Sequence, residues 1–337
     1  MAQKDSRGVA QDEHQSFIEW CIRTAVFVVF YAGQSAMINL SQFLGLLLYP
    51  FSKALYHDYI QQTQKCFGML LVAITQFFAP SVFVVTTDES AKDFVKKDWK
   101  NGRLFLNVPE RIILIANHQG MQFFQFIFLK RSWVADKDHL EKTMRDLAKS
   151  MKPLWLLIFP EGTLISECTR KTSQKFAEKA GLVDHKHLLL PRSTGLLFCM
   201  KELQESVDYI YDMTIGFDGV RSGEFPEDRY TLRRIFFEGR YPANIHVHVR
   251  RYAIADIPKD ESKFTEWLRQ RWTEKDALMT EFYSKGRFTS IYDSPQIVKI
   301  QMRNITELAH IWYFMVPCVI VWYLVNTYSF GWAIPSV

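Results

Sequence analysis

Arg111-Ile-Ile-Leu-Ile-Ala-Asn-His-Gln119 drives five apolar residues, three of them β-branched isoleucines, straight into an Asn-His pair. A run with no polar alternation reads as a strand buried on both faces, the kind found in parallel sheets. In an open α/β sheet, ligands bind in the crevice outside the carboxyl ends of the strands. Asn117 and His118 would stand at such an end, and an imidazole with an ordinary pKa near neutrality suits a general base. The same residues also fit a strand that simply ends in a capped turn.

Outward from this run, further apolar segments at 82–87, 124–129, 154–159, 187–190, 211–217 and 244–252 read as strands. Helical spacing covers 137–149, 173–180, 195–205 and 261–282, the last holding Trp267 and Trp272 among many charges and so expected to lie on the surface. Strands alternating with helices predict an α/β fold, a largely parallel sheet flanked by helices. The expected divisions are a disordered tail at 1–15, N-terminal membrane helices at 16–85, an α/β domain at 86–290 and a C-terminal transmembrane helix at 306–331.

The membrane assignments rest on charge-free runs at 24–52, 66–87 and 311–337, each long enough for the ~20 apolar residues of a span. Gln34, Asn39, Ser41 and Gln42 interrupt the first, which favours a helix pair or a helix lying partly in the interface over one simple span. Lys299 and Arg303 precede the last run and no charge follows it, placing the preceding domain in the cytosol. A helix packed on the domain is the competing reading of that run. Lys92, Lys96, Lys97 and Lys100 make 88–100 either a membrane-surface segment or a solvated face. The net charge of +5 suits anionic headgroups and is too dispersed for nucleic acid. Five cysteines without paired spacing point to a reduced compartment.

Three further runs carry polar chemistry. Leu156-Leu-Ile-Phe-Pro-Glu-Gly-Thr163 ends an apolar strand in a turn bearing Glu161, Gly162 and Thr163, and a glycine there lets main-chain N–H groups face a phosphate. Leu188-Leu-Leu-Pro-Arg-Ser-Thr-Gly195 offers Arg192. Phe126-Ile-Phe-Leu-Lys-Arg-Ser-Trp133 offers Lys130 and Arg131, whose side chains suit phosphate oxygens. His246 and His248 sit two apart on one strand, a spacing that fits zinc but lacks a third ligand nearby, so packing is the plainer reading. Cys168 has no base placed beside it.

In this order the four runs resemble the glycerolipid acyltransferases. Asn117-His118-Gln119 is similar to the start of that family's His-x-x-x-x-Asp block, and Phe128-Leu-Lys-Arg131 to its second block. Phe159-Pro-Glu-Gly-Thr163 and Leu190-Pro-Arg192 are similar to the third and fourth. Ala177-Glu-Lys-Ala-Gly181 and His246-Val-His-Val-Arg-Arg-Tyr252 resemble the lysocardiolipin and lysophosphatidylinositol acyltransferase branch. The resemblance implies transfer of a fatty acyl group from acyl-CoA, a co-substrate, to a lysophospholipid such as lysophosphatidic acid, lysophosphatidylinositol or lysocardiolipin. It implies an endoplasmic-reticulum membrane enzyme with its catalytic part facing the cytosol, without metal or other cofactor, and with no nucleic-acid partner. His118 would be the base, Lys130, Arg131 and Arg192 the phosphate ligands, and Glu161, Gly162 and Thr163 the wall of the acceptor pocket.

One departure stands inside the first block. The position of the family's aspartate is Phe123, and no carboxylate follows before Asp136. Only seven residues (117–123) separate the two apolar strands on either side, too few for a crossover helix between parallel neighbours. The spacing therefore predicts that a segment is missing between Gln119 and Gly120. The alternative is a catalytically inactive, membrane-anchored lipid-binding protein.

Overall fold

A computed structural model describes residues 17–100, 102, 104–118, 133–150, 152–290 and 295–299, together with Ile320 and Tyr323. Two compact units emerge. One comprises Val82–Thr231 with Pro242–Val298; the described part of the other is 17–81 and 232–241 with Lys299, Ile320 and Tyr323.

In the helical unit, α1 (Phe17–Phe27) passes through a π-helical turn into α2 (Gly33–Gly45). The continuous helical run Phe17–Leu48 is, among the described residues, the one long and apolar enough to cross a membrane. α3 (Lys53–Phe78) starts where the Ser52 hydroxyl accepts the Leu55 N–H. The polar bridge at 54–65 is helical and continuous with the apolar half, because no glycine or proline falls between 53 and 67. The polar interruptions of α2 find partners there: Gln42 donates to the Thr63 hydroxyl at 2.8 Å, and the Tyr59 hydroxyl donates to the Ser41 carbonyl at 3.2 Å. A short helix (Leu232–Phe236), expected within the α/β domain, belongs to this unit, with the Phe27 ring 4.9 Å from Phe236.

The other unit is built on a six-stranded sheet. Its strands are β1 (Val82–Thr87), β4 (Arg111–Ala116), β5 (Leu154–Ile158), β6 (Tyr209–Phe217), β7 (Asn244–Ala253) and β8 (Gln296–Lys299), in the order β5-β4-β6-β7-β1-β8. A separate hairpin pairs β2 (Val95–Lys97) with β3 (Leu104–Leu106), so the lysine-rich stretch at 88–100 runs into a short strand and its turn. β4 lies parallel to β5 and to β6, and β7 parallel to β1, as an α/β sheet requires. The β6–β7 pair is antiparallel, which the strand–helix alternation did not reveal. Between those strands this unit holds only a four-residue helix (Pro226–Arg229), and a parallel return needs a longer crossover.

β4 is buried on both faces. Ile113 and Ile115 face a layer formed by α4 (Trp133–Ser150), α6 (Ser193–Leu203) and α7 (Glu261–Lys285). Ile112 and Leu114 face Ala91, Phe94 and Val95 on the other side. Arg111 pins the start of the strand, its guanidinium donating to the carbonyls of Leu147, Lys152 and Ser206.

α7 does not lie on the surface as its charges suggested. Its stripe Phe264, Leu268, Trp272, Lys275, Met279 and Phe282 is buried against the sheet. The run at 187–190 is not a strand either: its backbone donors are spent on side chains, His187 N–H on Asp276, Leu189 N–H on Glu161 and Leu190 N–H on the Ser173 hydroxyl. α5 (Glu167–Ala180) begins earlier than the periodicity indicated, at a capping box between Ser166 and Thr169. The tail at 1–15, the strand at 124–129, the junction at 119–120 and nearly all of the run at 311–330 lie outside the described residues.

Candidate active site

Because β4 and β5 run parallel, their carboxyl ends open on the same edge of the sheet. Asn117, directly after β4, extends the ladder with its side chain. Its amide accepts the Ile215 N–H at 2.8 Å and donates to the Ile215 carbonyl at 3.0 Å, locking the strand end to β6. His118 follows, half-buried, with its ring 4.3 Å from that of Phe159. Its Nδ1 is buried and has no partner among the described residues. Burial, which penalises the imidazolium, lowers its pKa below the ordinary histidine value, so the ring is neutral at pH 7.

Opposite stands the turn after β5. The Phe159 carbonyl accepts the Gly162 N–H at 2.9 Å, and Gly162 has φ +71°, a conformation that disfavours any residue with a Cβ. A Cβ at Gly162 would meet the Arg192 side chain at 3.7 Å, so that side chain lies across the turn. The Arg192 N–H donates to the Pro160 carbonyl at 2.8 Å, which ties the start of α6 to the same place. Thr163 is half-buried next in line.

Glu161 is turned inward, 3% exposed. Its carboxylate accepts the His118 N–H (3.4 Å), the Leu189 N–H (3.3 Å) and the Trp272 indole N–H (3.4 Å). One side chain thus joins the β4 end, the 187–190 loop and α7. Burial pushes its pKa up to about 7, against the pull of those donors and of Lys275. A carboxyl raised from 4.5 to about 7 on folding favours the folded state most at low pH and gives up about 3 kcal/mol as pH climbs between those values. The difference in unfolding free energy between wild type and Glu161→Gln, followed by denaturant titration, is expected to move by that amount, wild type weakening relative to the variant from pH 4.5 to 7. Parallel curves would show that Glu161 does not titrate in that window.

Below Trp272 runs a buried ionic chain that sequence reading missed. Lys275 stands 4.9 Å over the Trp272 ring and donates to the Asp212 carboxylate and to the Met213 carbonyl. Asp212, on β6 beside Ile115 of β4, also receives Arg250 at 2.8 Å, and Arg250 reaches Glu274 at 2.6 Å. Burial alone would raise the Asp212 carboxyl; Lys275 and Arg250 overcome it and hold the group below its usual range. A signal existed: Lys275 occupies the apolar stripe of α7, and Asp212 is the one charged residue of its strand.

The structure brings together His118, Glu161, Gly162 and Arg192; Lys130, Arg131 and Phe123 lie outside the described residues. His246 and His248 do not converge on a common ligand: His246 lies 2.9 Å from Asp218, and His248 3.0 Å from the Thr86 hydroxyl. Cys168 is exposed on α5.

Comparison with known proteins bears on this arrangement. The family described as Acyltransferase C-terminus matches residues 236–314. An uncharacterized acyltransferase of Schizosaccharomyces pombe is 34% identical over 304 residues, covering 79% of this chain and 87% of its own. The 2-acyl-1-lysophosphatidylinositol acyltransferase of Saccharomyces cerevisiae is 29% identical over 351 residues, covering 80% of this chain and 87% of its own. That alignment is longer than the 337 residues present here, so the relative carries residues with no counterpart in this chain. Among solved structures, the 1-acyl-sn-glycerophosphate acyltransferase PlsC of Thermotoga maritima matches at 13% identity and a TM-score of 0.36, covering 78% of this chain and 94% of its own. On the breadth of the Schizosaccharomyces pombe match, the chain belongs to the glycerolipid acyltransferases, a family of O-acyltransferases.

Proposed function

We propose that the protein transfers a fatty acyl group from acyl-CoA to the free hydroxyl of a lysophospholipid at the endoplasmic-reticulum membrane, its catalytic unit facing the cytosol. The observation that carries this reading is the half-buried imidazole of His118 at the carboxyl end of β4, packed beside the turn crossed by Arg192. The acceptor hydroxyl gives its proton to His118 as its oxygen attacks the thioester carbonyl, and collapse of the tetrahedral adduct expels the CoA thiolate, which recovers that proton. Arg192, with Lys130 and Arg131, holds the acceptor phosphate. Gly162 and Thr163 line the pocket, and Glu161 supports the wall from behind through the His118 N–H. The Saccharomyces cerevisiae relative, a 2-acyl-1-lysophosphatidylinositol acyltransferase, supports a lysophosphatidylinositol acceptor, and a lysocardiolipin acyltransferase of Gallus gallus, 36% identical over 170 residues that cover 50% of this chain and 43% of its own, supports lysocardiolipin. The run at 311–330 acts as a transmembrane anchor in this reading.

A second reading is favoured by one observation. The family's motif places an aspartate where this chain has Phe123, and the His118 Nδ1 that such a carboxylate would engage has no partner among the described residues. Losing the aspartate of a catalytic triad costs about 10⁴-fold in rate. We infer that a segment is absent between Gln119 and Gly120, because the seven residues at 117–123 are too few for a crossover between parallel strands. The test is acyl transfer from labelled acyl-CoA to a panel of lysophospholipids by membranes containing the full chain. Labelled diacyl product supports the transferase; lysophospholipid binding without product supports the inactive lipid-binding protein.

A further inference from the structure

Trp99 is the most exposed aromatic side chain among the described residues of the sheet-bearing unit, at 86%. It stands at the tip of the β2–β3 hairpin, and the transfer chemistry makes no use of it. The Asp98 carbonyl accepts the Gly102 N–H at 2.8 Å, the Asp98 carboxylate accepts the Lys100 N–H at 2.9 Å, and Gly102 takes φ +68° to close the turn. At the root, Phe94 is buried in the core, and its carbonyl accepts the Asn107 N–H at 2.8 Å. These bonds hold the described part of the hairpin, which presents an indole ring to solvent.

Around that ring the chemistry is cationic. Lys100 lies 5.1 Å over the Trp99 face, and Lys96 and Lys97 are exposed on the adjoining strand without a carboxylate partner among the described residues. Nearby acids are already engaged: Glu89 with Lys92, Asp93 with Arg251, and Asp98 within the turn. Phe105, opposite Lys96 in the register, and Leu106 are large apolar residues left open to solvent. An indole with one polar edge and lysines with long apolar stems both partition to the headgroup layer, where ammonium groups meet lipid phosphates. A narrow convex finger cannot bury the ~1,000 Å² that a stable protein interface requires.

We propose that the β2–β3 hairpin docks this unit on an anionic bilayer surface, with Trp99 entering the interface and Lys96, Lys97 and Lys100 reading negative headgroups. The proposal stands apart from the acyl-transfer reading and is tested without activity. In the full chain, Cys21, Cys168 and Cys318 are replaced by serine and Trp99→Cys is labelled with an environment-sensitive fluorophore. The protein is reconstituted into phosphatidylcholine vesicles with or without phosphatidylserine. The expected result is a blue-shifted emission, quenched by acyl-chain-brominated lipid, in the anionic vesicles. Both signals should be lost in Lys96→Glu/Lys97→Glu/Lys100→Glu and in high salt, while a label at Lys201→Cys stays water-exposed. A Trp99 label that remains in water in both vesicle types overturns the proposal. So does one equally buried in both, or one already shielded in detergent by a bound protein.

Discussion

His118→Ala is expected to lower the rate of acyl transfer about 10²- to 10⁴-fold, the range that a positioned general base contributes. The loss should fall on chemistry rather than folding. The main-chain bonds at this residue, the N–H to Glu161 and the carbonyl from Ile165, survive the substitution. Because Nδ1 has no partner among the described residues, truncation strands no buried donor or acceptor there. Unfolding free energy measured beside the rate should change by only about 1 kcal/mol. A variant that loses activity and stability together would instead make His118 a structural residue.

The second large effect lies in the ionic chain beneath the site. Asp212→Asn leaves the fully buried Lys275 ammonium without its counter-charge and takes from Arg250 one of its two carboxylates. Removing one partner of a buried pair costs about 3–5 kcal/mol, since the remaining charge is neither solvated nor paired. Replacing both groups with apolar ones, Asp212→Val with Lys275→Met, should recover most of that loss, because the Lys275 ammonium is gone and Arg250 keeps Glu274. Denaturant midpoints of the single and double variants decide the matter; a double variant no better than Asp212→Asn would mean that the pair itself holds α7 on the sheet.

What could be read from residues alone follows from local rules. β4 announced itself because an unbroken β-branched run is compatible with burial on both faces and little else. The turn at 159–162 and the helix start after Arg192 were legible for a similar reason, since Pro, Gly and Ser punctuate short segments. The pairing of β6 with β7 was not legible, because direction in a sheet depends on where the connection travels, and residues 232–241 leave this unit on the way. His187 to Leu190 looked like a strand because apolar runs report burial, whereas the N–H groups of His187, Leu189 and Leu190 are claimed by Asp276, Glu161 and Ser173 from distant positions. Glu161 stood out in the turn after an apolar strand, but its inward direction did not, since that depends on Trp272, more than a hundred residues later.

The most direct test is the pH dependence of kcat/KM for acyl transfer by the full chain, with His118→Ala beside it. A base whose imidazole is held below the ordinary histidine pKa is expected to give a rate that rises with pH and levels off above an apparent pKa lower than 6.5. A rate still climbing beyond neutrality, or an unchanged profile in His118→Ala, would contradict the assignment of that imidazole as the group that takes the proton.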